Sequence, residues 1–82
     1  MNREQIFAVV QGHVVQIVDG AKPEMVREDI SLRDLGADSL QVVEVVSRSM
    51  KELRLRIPRT ELSRARNLRD LVDLFEQAAK SA

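Results

Sequence analysis

Six consecutive residues, Leu35-Gly36-Ala37-Asp38-Ser39-Leu40, set a glycine, an acid and a hydroxyl in a row just ahead of an apolar-periodic stretch. The arrangement predicts that Ser39 stands in the first turn of a helix. Backbone N–H groups there lack partners, and the helix dipole leaves a partial positive charge. A phosphate esterified to Ser39 would therefore lie in favourable electrostatics. Gly36 allows a sharp turn that leaves the hydroxyl open to a modifying enzyme. The same residues also fit a plain helix cap, with Asp38 and Gln41 forming a capping box. Taken alone, the pattern leaves both uses open.

Other chemistry is thinly supplied. The chain has no cysteine and one histidine, His13, which removes disulfides, thiolate metal sites and thiol nucleophiles together. A serine needs a base before it attacks, and His13 lies mid-helix, far in sequence from Ser39. It is expected on a helix surface. Neither a catalytic site nor a metal site is predicted.

Four helical stretches must position Ser39, and no strand is expected. The first spans Arg3 to Val18, opened by Asn2 and Gln5 as a capping box, with Ile6, Val10, Val14 and Ile17 on its apolar face. Asp19-Gly20 ends it. Residues 19–38 form a long connection, which calls for either its own structure or a function; Ile30, Leu32 and Leu35 are expected to anchor it on the bundle. The second helix runs from Ser39 to about Leu53, with Leu40, Val43, Val46, Met50 and Leu53 as its buried stripe. Val42 and Val45 widen its apolar surface toward a partner. Pro58 opens a short third helix to about Arg66. Asn67 with Asp70 caps the last helix, whose face is Leu68, Leu71, Val72, Phe75 and Ala79. The expectation is an all-α, four-helix bundle with a short third helix and a long first loop, one domain over residues 1–82.

With 44% hydrophobic residues, two Phe, no Trp and no Tyr, the core must be aliphatic, and the chain is too apolar to be disordered. No stretch approaches the roughly 18 apolar residues of a membrane span. Met1-Asn2-Arg3-Glu4-Gln5 has no apolar run behind a basic start, so no signal peptide is expected and the predicted location is cytoplasmic. Net charge is zero but unevenly spread. Residues 1–47 hold four basic residues against eight acids, and residues 48–82 hold nine against five. Such a dipole suits oriented docking to protein partners better than nucleic-acid binding.

The order of elements and the residues Leu35, Gly36, Asp38, Ser39 and Leu40, followed by Val43-Glu44-Val45-Val46, Ile57-Pro58 and Leu68-Arg69-Asp70-Leu71-Val72, resemble the acyl carrier protein family along essentially the whole chain. The resemblance implies that a phosphopantetheinyl transferase attaches 4′-phosphopantetheine to Ser39, flanked by Asp38 and Leu40. The thiol of that arm would hold an acyl group as a thioester. Asp38, where peptidyl carriers usually have Gly or His, favours the acyl branch. No enzyme activity is implied.

Fatty-acid carriers present an acidic second helix. Here Arg48 and Lys51 interrupt Asp38, Glu44 and Glu52, and Arg54, Arg56, Arg59, Arg64 and Arg66 follow. Such a surface disfavours the basic docking patch that an acidic carrier would meet. The stretch Ile57 to Leu68, leading into Leu71-Val72-Asp73-Leu74-Phe75, is similar to free-standing carriers of polyketide β-branching cassettes, which serve antibiotic biosynthesis. These hold an acetyl donor, made by decarboxylating a malonyl group, for a 3-hydroxy-3-methylglutaryl-synthase-like enzyme. The partners so implied are the transferase, an acyltransferase or decarboxylating ketosynthase-like enzyme, and the synthase-like enzyme. The carrier is expected as a monomer. Glu44, Ser47, Arg48 and Lys51 are the candidate partner contacts. Ser47 and Ser49 replace larger apolar residues and, if turned inward, would make the interior smaller and more polar.

The competing readings are an ordinary fatty-acid or polyketide elongation carrier, a helical adaptor without a prosthetic group, and a small nucleic-acid binder. The last has neither aromatic stacking residues nor a binding-module motif to support it.

Overall fold

Asn2 opens the chain's first helix as its spacing predicts: its side chain accepts the Gln5 N–H at 2.8 Å, and the Gln5 side chain accepts the Asn2 N–H at 2.9 Å. The computed structural model describes residues 1–81. It contains α1 (Arg3–Ile17), α2 (Ser39–Leu53), α3 (Arg59–Leu62) and α4 (Leu68–Ser81), with a 3-10 turn at Pro23–Met25 and no strand among the described residues. The all-α expectation with a short third helix and a long first loop holds. α1 packs against α2 and α4, and α3 packs against α4.

The core is aliphatic apart from Phe75. Ile6, Val10 and Val14 of α1 meet Val45 and Leu53 of α2 and Leu68, Leu71, Val72 and Phe75 of α4. Each fully buried side chain of this kind contributes about 1.5–3 kcal/mol through removal from water. Ile17, expected in the core, is half-buried, while Val18 beyond the helix end is buried. The chain leaves helical geometry at Val18, which turns that side chain inward. Gly20 then takes a positive φ of 81°, a conformation that suits glycine.

The phase of α2 differs from the expectation. Val45, Ser49 and Leu53 are buried, Val42, Val46 and Met50 are half-buried, and Leu40 and Val43 are exposed at 69% and 57%. Valines at 42, 43, 45 and 46 give apolar character to more than half the helix circumference, so periodicity alone did not fix which side meets α1. α3 is also shorter than expected. Pro58 caps it from outside, and after Leu62 the bonds change to the tighter i→i−3 kind, from Arg64 N to Glu61 O and from Ala65 N to Leu62 O.

The long loop has its own structure. Ser31 and Asp34 form a reciprocal cap, the Asp34 N–H donating to Ser31 Oγ and the Ser31 N–H to Asp34 Oδ2. The single turn they open closes at Gly36, whose φ is 96°. There the Ala37 N–H donates to Leu32 O and the Gly36 N–H to Arg33 O, the bond pair of a Schellman ending. Leu32 and Ala37, the apolar pair of that motif, are both buried. Ile30 and Leu35 pack against the core half-buried, as expected for anchors. The loop also serves α4: Ile30 O accepts the Leu68 N–H and Glu28 O accepts the Arg69 N–H, both at 2.9 Å.

Arg3 ties three segments. Its guanidinium donates to Glu28 of the loop and to Asp73 (2.5 Å) and Glu76 (3.3 Å) of α4. The hydrogen bonds to Glu28 and then Asp73 raise its pKa above the ordinary arginine value. α4 is capped as the sequence predicts, Asn67 Oδ1 accepting the Asp70 N–H at 2.9 Å. The Asp70 carboxylate in turn accepts the Arg66 N–H, a bond that lowers its pKa.

Candidate functional site

Ser39 is the first residue of α2 and is exposed. Asp38 immediately before it is the N-cap, with extended backbone. Its Oδ1 accepts the Gln41 N–H at 2.8 Å, and Gln41 Oε1 accepts the Asp38 N–H at 3.1 Å. The Gln41 amide also donates to Ile17 O at 3.2 Å, fastening the start of α2 to the end of α1. Two ordered pieces thus meet at Ser39, the Gly36 ending of the loop turn and the capped mouth of α2. The hydroxyl is held at the surface by backbone geometry rather than by burial.

The partner of Ser39 Oγ is a residue that the sequence reading did not select. Arg33, on the loop turn, donates from Nη2 to Ser39 Oγ at 3.3 Å. A guanidinium has five donors and no acceptor, so it cannot take the serine proton. His13 cannot do so either. Its Nε2 lies 2.7 Å from Glu52 Oε1 near the far end of α2, about 20 Å from Ser39 along the helix at roughly 1.5 Å per residue. His13 was expected on the surface, but its side chain is only 15% exposed and its Nδ1 is buried without a partner. The imidazole fills part of the α1–α2 seam.

The arrangement is an exposed hydroxyl at the start of a helix, bordered by a cation. It fits an esterified phosphate, since the non-bridging oxygens on a phosphorus bonded to Oγ would add negative charge beside Arg33. Leu40 is exposed next to it and does not enter the core.

The candidate contact residues lie further along α2. Ser47, Arg48 and Lys51 are exposed, and Glu44 is half-buried with Oε2 3.7 Å from Arg48 Nη2. Arg48 is therefore partly neutralised by its own helix. Of the two serines, Ser49 points fully into the core with its Oγ unpaired, whereas Ser47 faces out.

A cleft of about 620 Å³ lies between α2 and the α3 segment, its apolar wall including Val42, Val46, Met50, Leu62 and Leu71. Ser47 and three exposed arginines, Arg33, Arg59 and Arg66, also line it. Arg33 thus borders both the Ser39 hydroxyl and the cleft. Among the described residues no helix is long and apolar enough to cross a membrane.

The family profile described as the phosphopantetheine attachment site matches residues 13–75. Over its whole length the chain is 28% identical to the polyketide biosynthesis acyl-carrier-protein AcpK of Bacillus subtilis, with 100% of each chain covered. It is 39% identical to an acyl carrier protein of Campylobacter curvus, over 92% of this chain and 97% of that one. Among solved structures it is similar to a chain in the crystal structure of the curacin biosynthetic pathway HMG synthase in complex with acetyl donor-ACP. The TM-score there is 0.76 at 33% identity, covering 96% of this chain and 99% of that one.

Proposed function

The chain belongs to the acyl carrier proteins, the family marked by a phosphopantetheine attachment site, and from that premise we propose that Ser39 is the attachment residue and that the loaded carrier is the acetyl donor of a polyketide β-branching step. The protein is a carrier and leaves catalysis to its partners. When bound, the 4′-phosphopantetheine group supplies a terminal thiol that holds an acyl group as a thioester. The chain's own residues present and orient it. Asp38 and Gln41 fix the first turn of α2, Gly36 completes the approach to it, and Ser39 offers its oxygen to a phosphopantetheinyl transferase.

The observation that carries the attachment reading is the exposed Ser39 hydroxyl at the capped mouth of α2, inside the matched segment. The donor reading is supported by the likeness to the acetyl donor carrier crystallised with an HMG synthase and to a polyketide carrier. A basic second half of the chain accords with it, because an elongation carrier of the acidic type would not carry Arg48 and the arginines of residues 54–66. In this role an acyltransferase or decarboxylating ketosynthase-like enzyme supplies the acetyl thioester, and a 3-hydroxy-3-methylglutaryl-synthase-like enzyme receives it. Leu40 and Val43 form an apolar shoulder beside the arm, and Glu44, Ser47, Arg48 and Lys51 extend the contact along α2.

Intact-mass measurement after incubation with coenzyme A and a broad-specificity phosphopantetheinyl transferase tests the attachment. The expected result is one pantetheine phosphate added to the native chain and none to Ser39→Ala. A gain that survives Ser39→Ala, or no gain in either, overturns it. For the donor role, acetyl loaded on this carrier should pass to a synthase-like enzyme. Repeated rounds of chain extension on this carrier would instead support the elongation reading.

A further inference from the structure

We infer that Arg33 is the built-in counter-ion of the phosphodiester formed at Ser39, a binding residue for the anionic base of the arm. The inference rests on Ser39 being the attachment residue. Arg33 Nη2 already donates to Ser39 Oγ at 3.3 Å, the atom to which the phosphorus would be bonded. Esterification removes the hydroxyl proton, releases adenosine 3′,5′-bisphosphate from coenzyme A, and places the anionic phosphodiester oxygens two bonds from Oγ. The guanidinium then exchanges a bond to a neutral oxygen for a charge-assisted one, which is about twice as strong, with no movement of the backbone.

The neighbouring charges leave Arg33 free for this. Asp34 is adjacent in sequence, but its carboxylate accepts the Ser31 N–H at 3.1 Å. Asp38 Oδ1 accepts the Gln41 N–H at 2.8 Å. Arg33 takes part in none of the ion pairs among the described residues. The guanidinium instead donates to the Ser39 hydroxyl, which would carry the negative charge once esterified.

The loop geometry makes the contact inexpensive to hold. Arg33 sits inside the turn capped by Ser31 and Asp34 and closed at Gly36, so its backbone is already ordered before any phosphate arrives. Its planar fork can then grip two phosphate oxygens where a lysine offers a point charge. A phosphate held in this way restricts the cone swept by the first bonds of the arm.

Phosphorus NMR of the pantetheinylated protein tests the inference, with native chain, Arg33→Gln and Arg33→Lys compared after intact mass has shown each to be modified. The phosphodiester resonance is expected to shift in Arg33→Gln and to lie closer to the native position in Arg33→Lys. The Arg33 Nε–Hε signal should move between the unmodified and modified native protein. High salt should bring the native resonance toward that of Arg33→Gln, because the pair is exposed and screened. Arg33 is on the surface, so an unchanged thermal midpoint in the variants serves as the folding control. Identical phosphorus resonances in all three proteins, with an Arg33 signal indifferent to modification, would overturn the inference while leaving the attachment at Ser39 intact. Absence of any mass gain would overturn both.

Discussion

Asp38 and Gln41 hold each other at the mouth of α2, each side chain accepting the other's backbone N–H, at 2.8 and 3.1 Å. The pair sets the direction in which Ser39 leaves the surface. Asp38→Ala removes the cap bond and is expected to cost about 1 kcal/mol, read from urea unfolding. Asp38→Asn, which keeps an acceptor, should cost less. A loss in Asp38→Ala no larger than at an ordinary surface position would show that the cap contributes little.

Ser49 is buried with an unpaired hydroxyl. Removing an unsatisfied polar atom from an apolar interior recovers its desolvation cost, so Ser49→Ala should be neutral or stabilising by about 1 kcal/mol. The neighbouring Val45→Ala, which only opens a void, should lose about 2 kcal/mol. Chemical denaturation of both variants separates the two effects.

Arg54 ends α2 with φ 56°, a left-handed conformation unusual for a side chain with a Cβ. Arg54→Gly relieves that strain and is expected to raise stability by about 0.5–1 kcal/mol after the entropy cost of glycine. A lower melting temperature would argue that the arginine side chain makes a compensating contact.

Asp70 titrates below its ordinary range because its carboxylate accepts the Arg66 N–H, with the Arg66 side chain adding to the effect. The folded chain therefore binds this proton less readily than the unfolded chain does. The resulting stability is fully present above the unfolded value of 3.8 and disappears as pH falls through the lower folded one. Thermal melts should show the native protein ahead of Asp70→Asn near neutral pH, with the gap narrowing on acidification. A gap that does not change with pH would contradict this.

Arg48→Glu reverses the charge of an exposed residue whose only ion-pair partner among the described residues is Glu44 at 3.7 Å. Stability should fall by no more than about 0.5 kcal/mol, the scale of an i,i+4 charge effect. Acetyl transfer to the synthase-like partner should slow by roughly tenfold in kcat/KM, mostly through slower encounter. Unaltered transfer would leave Arg48 as solvated surface.

The sequence was most legible where a local rule has a single solution. Asn2 with Gln5, Asp38 with Gln41 and Asn67 with Asp70 are side-chain-to-backbone bonds three residues apart, and all three form. The phase of α2 was not legible, because Val42, Val43, Val45 and Val46 offer an apolar surface in several directions and only packing against α1 selects among them. α3 was overestimated because Pro58 marks a helix start but nothing in Ser63 to Arg66 signals its early end. The Ser31–Asp34 cap follows the same three-residue rule and could have been found. The approach of Arg33 to Ser39 could not, since it depends on how the Gly36 ending swings one turn over the next.

The two carbonyls that the loop lends to α4, at Glu28 and Ile30, also determine how the molecule breathes. If the 28–30 segment lifts, the amides of Leu68 and Arg69 lose their acceptors in the same motion. Exchange of the Leu68 and Arg69 amides with solvent is therefore expected to follow the opening of the 28–30 segment.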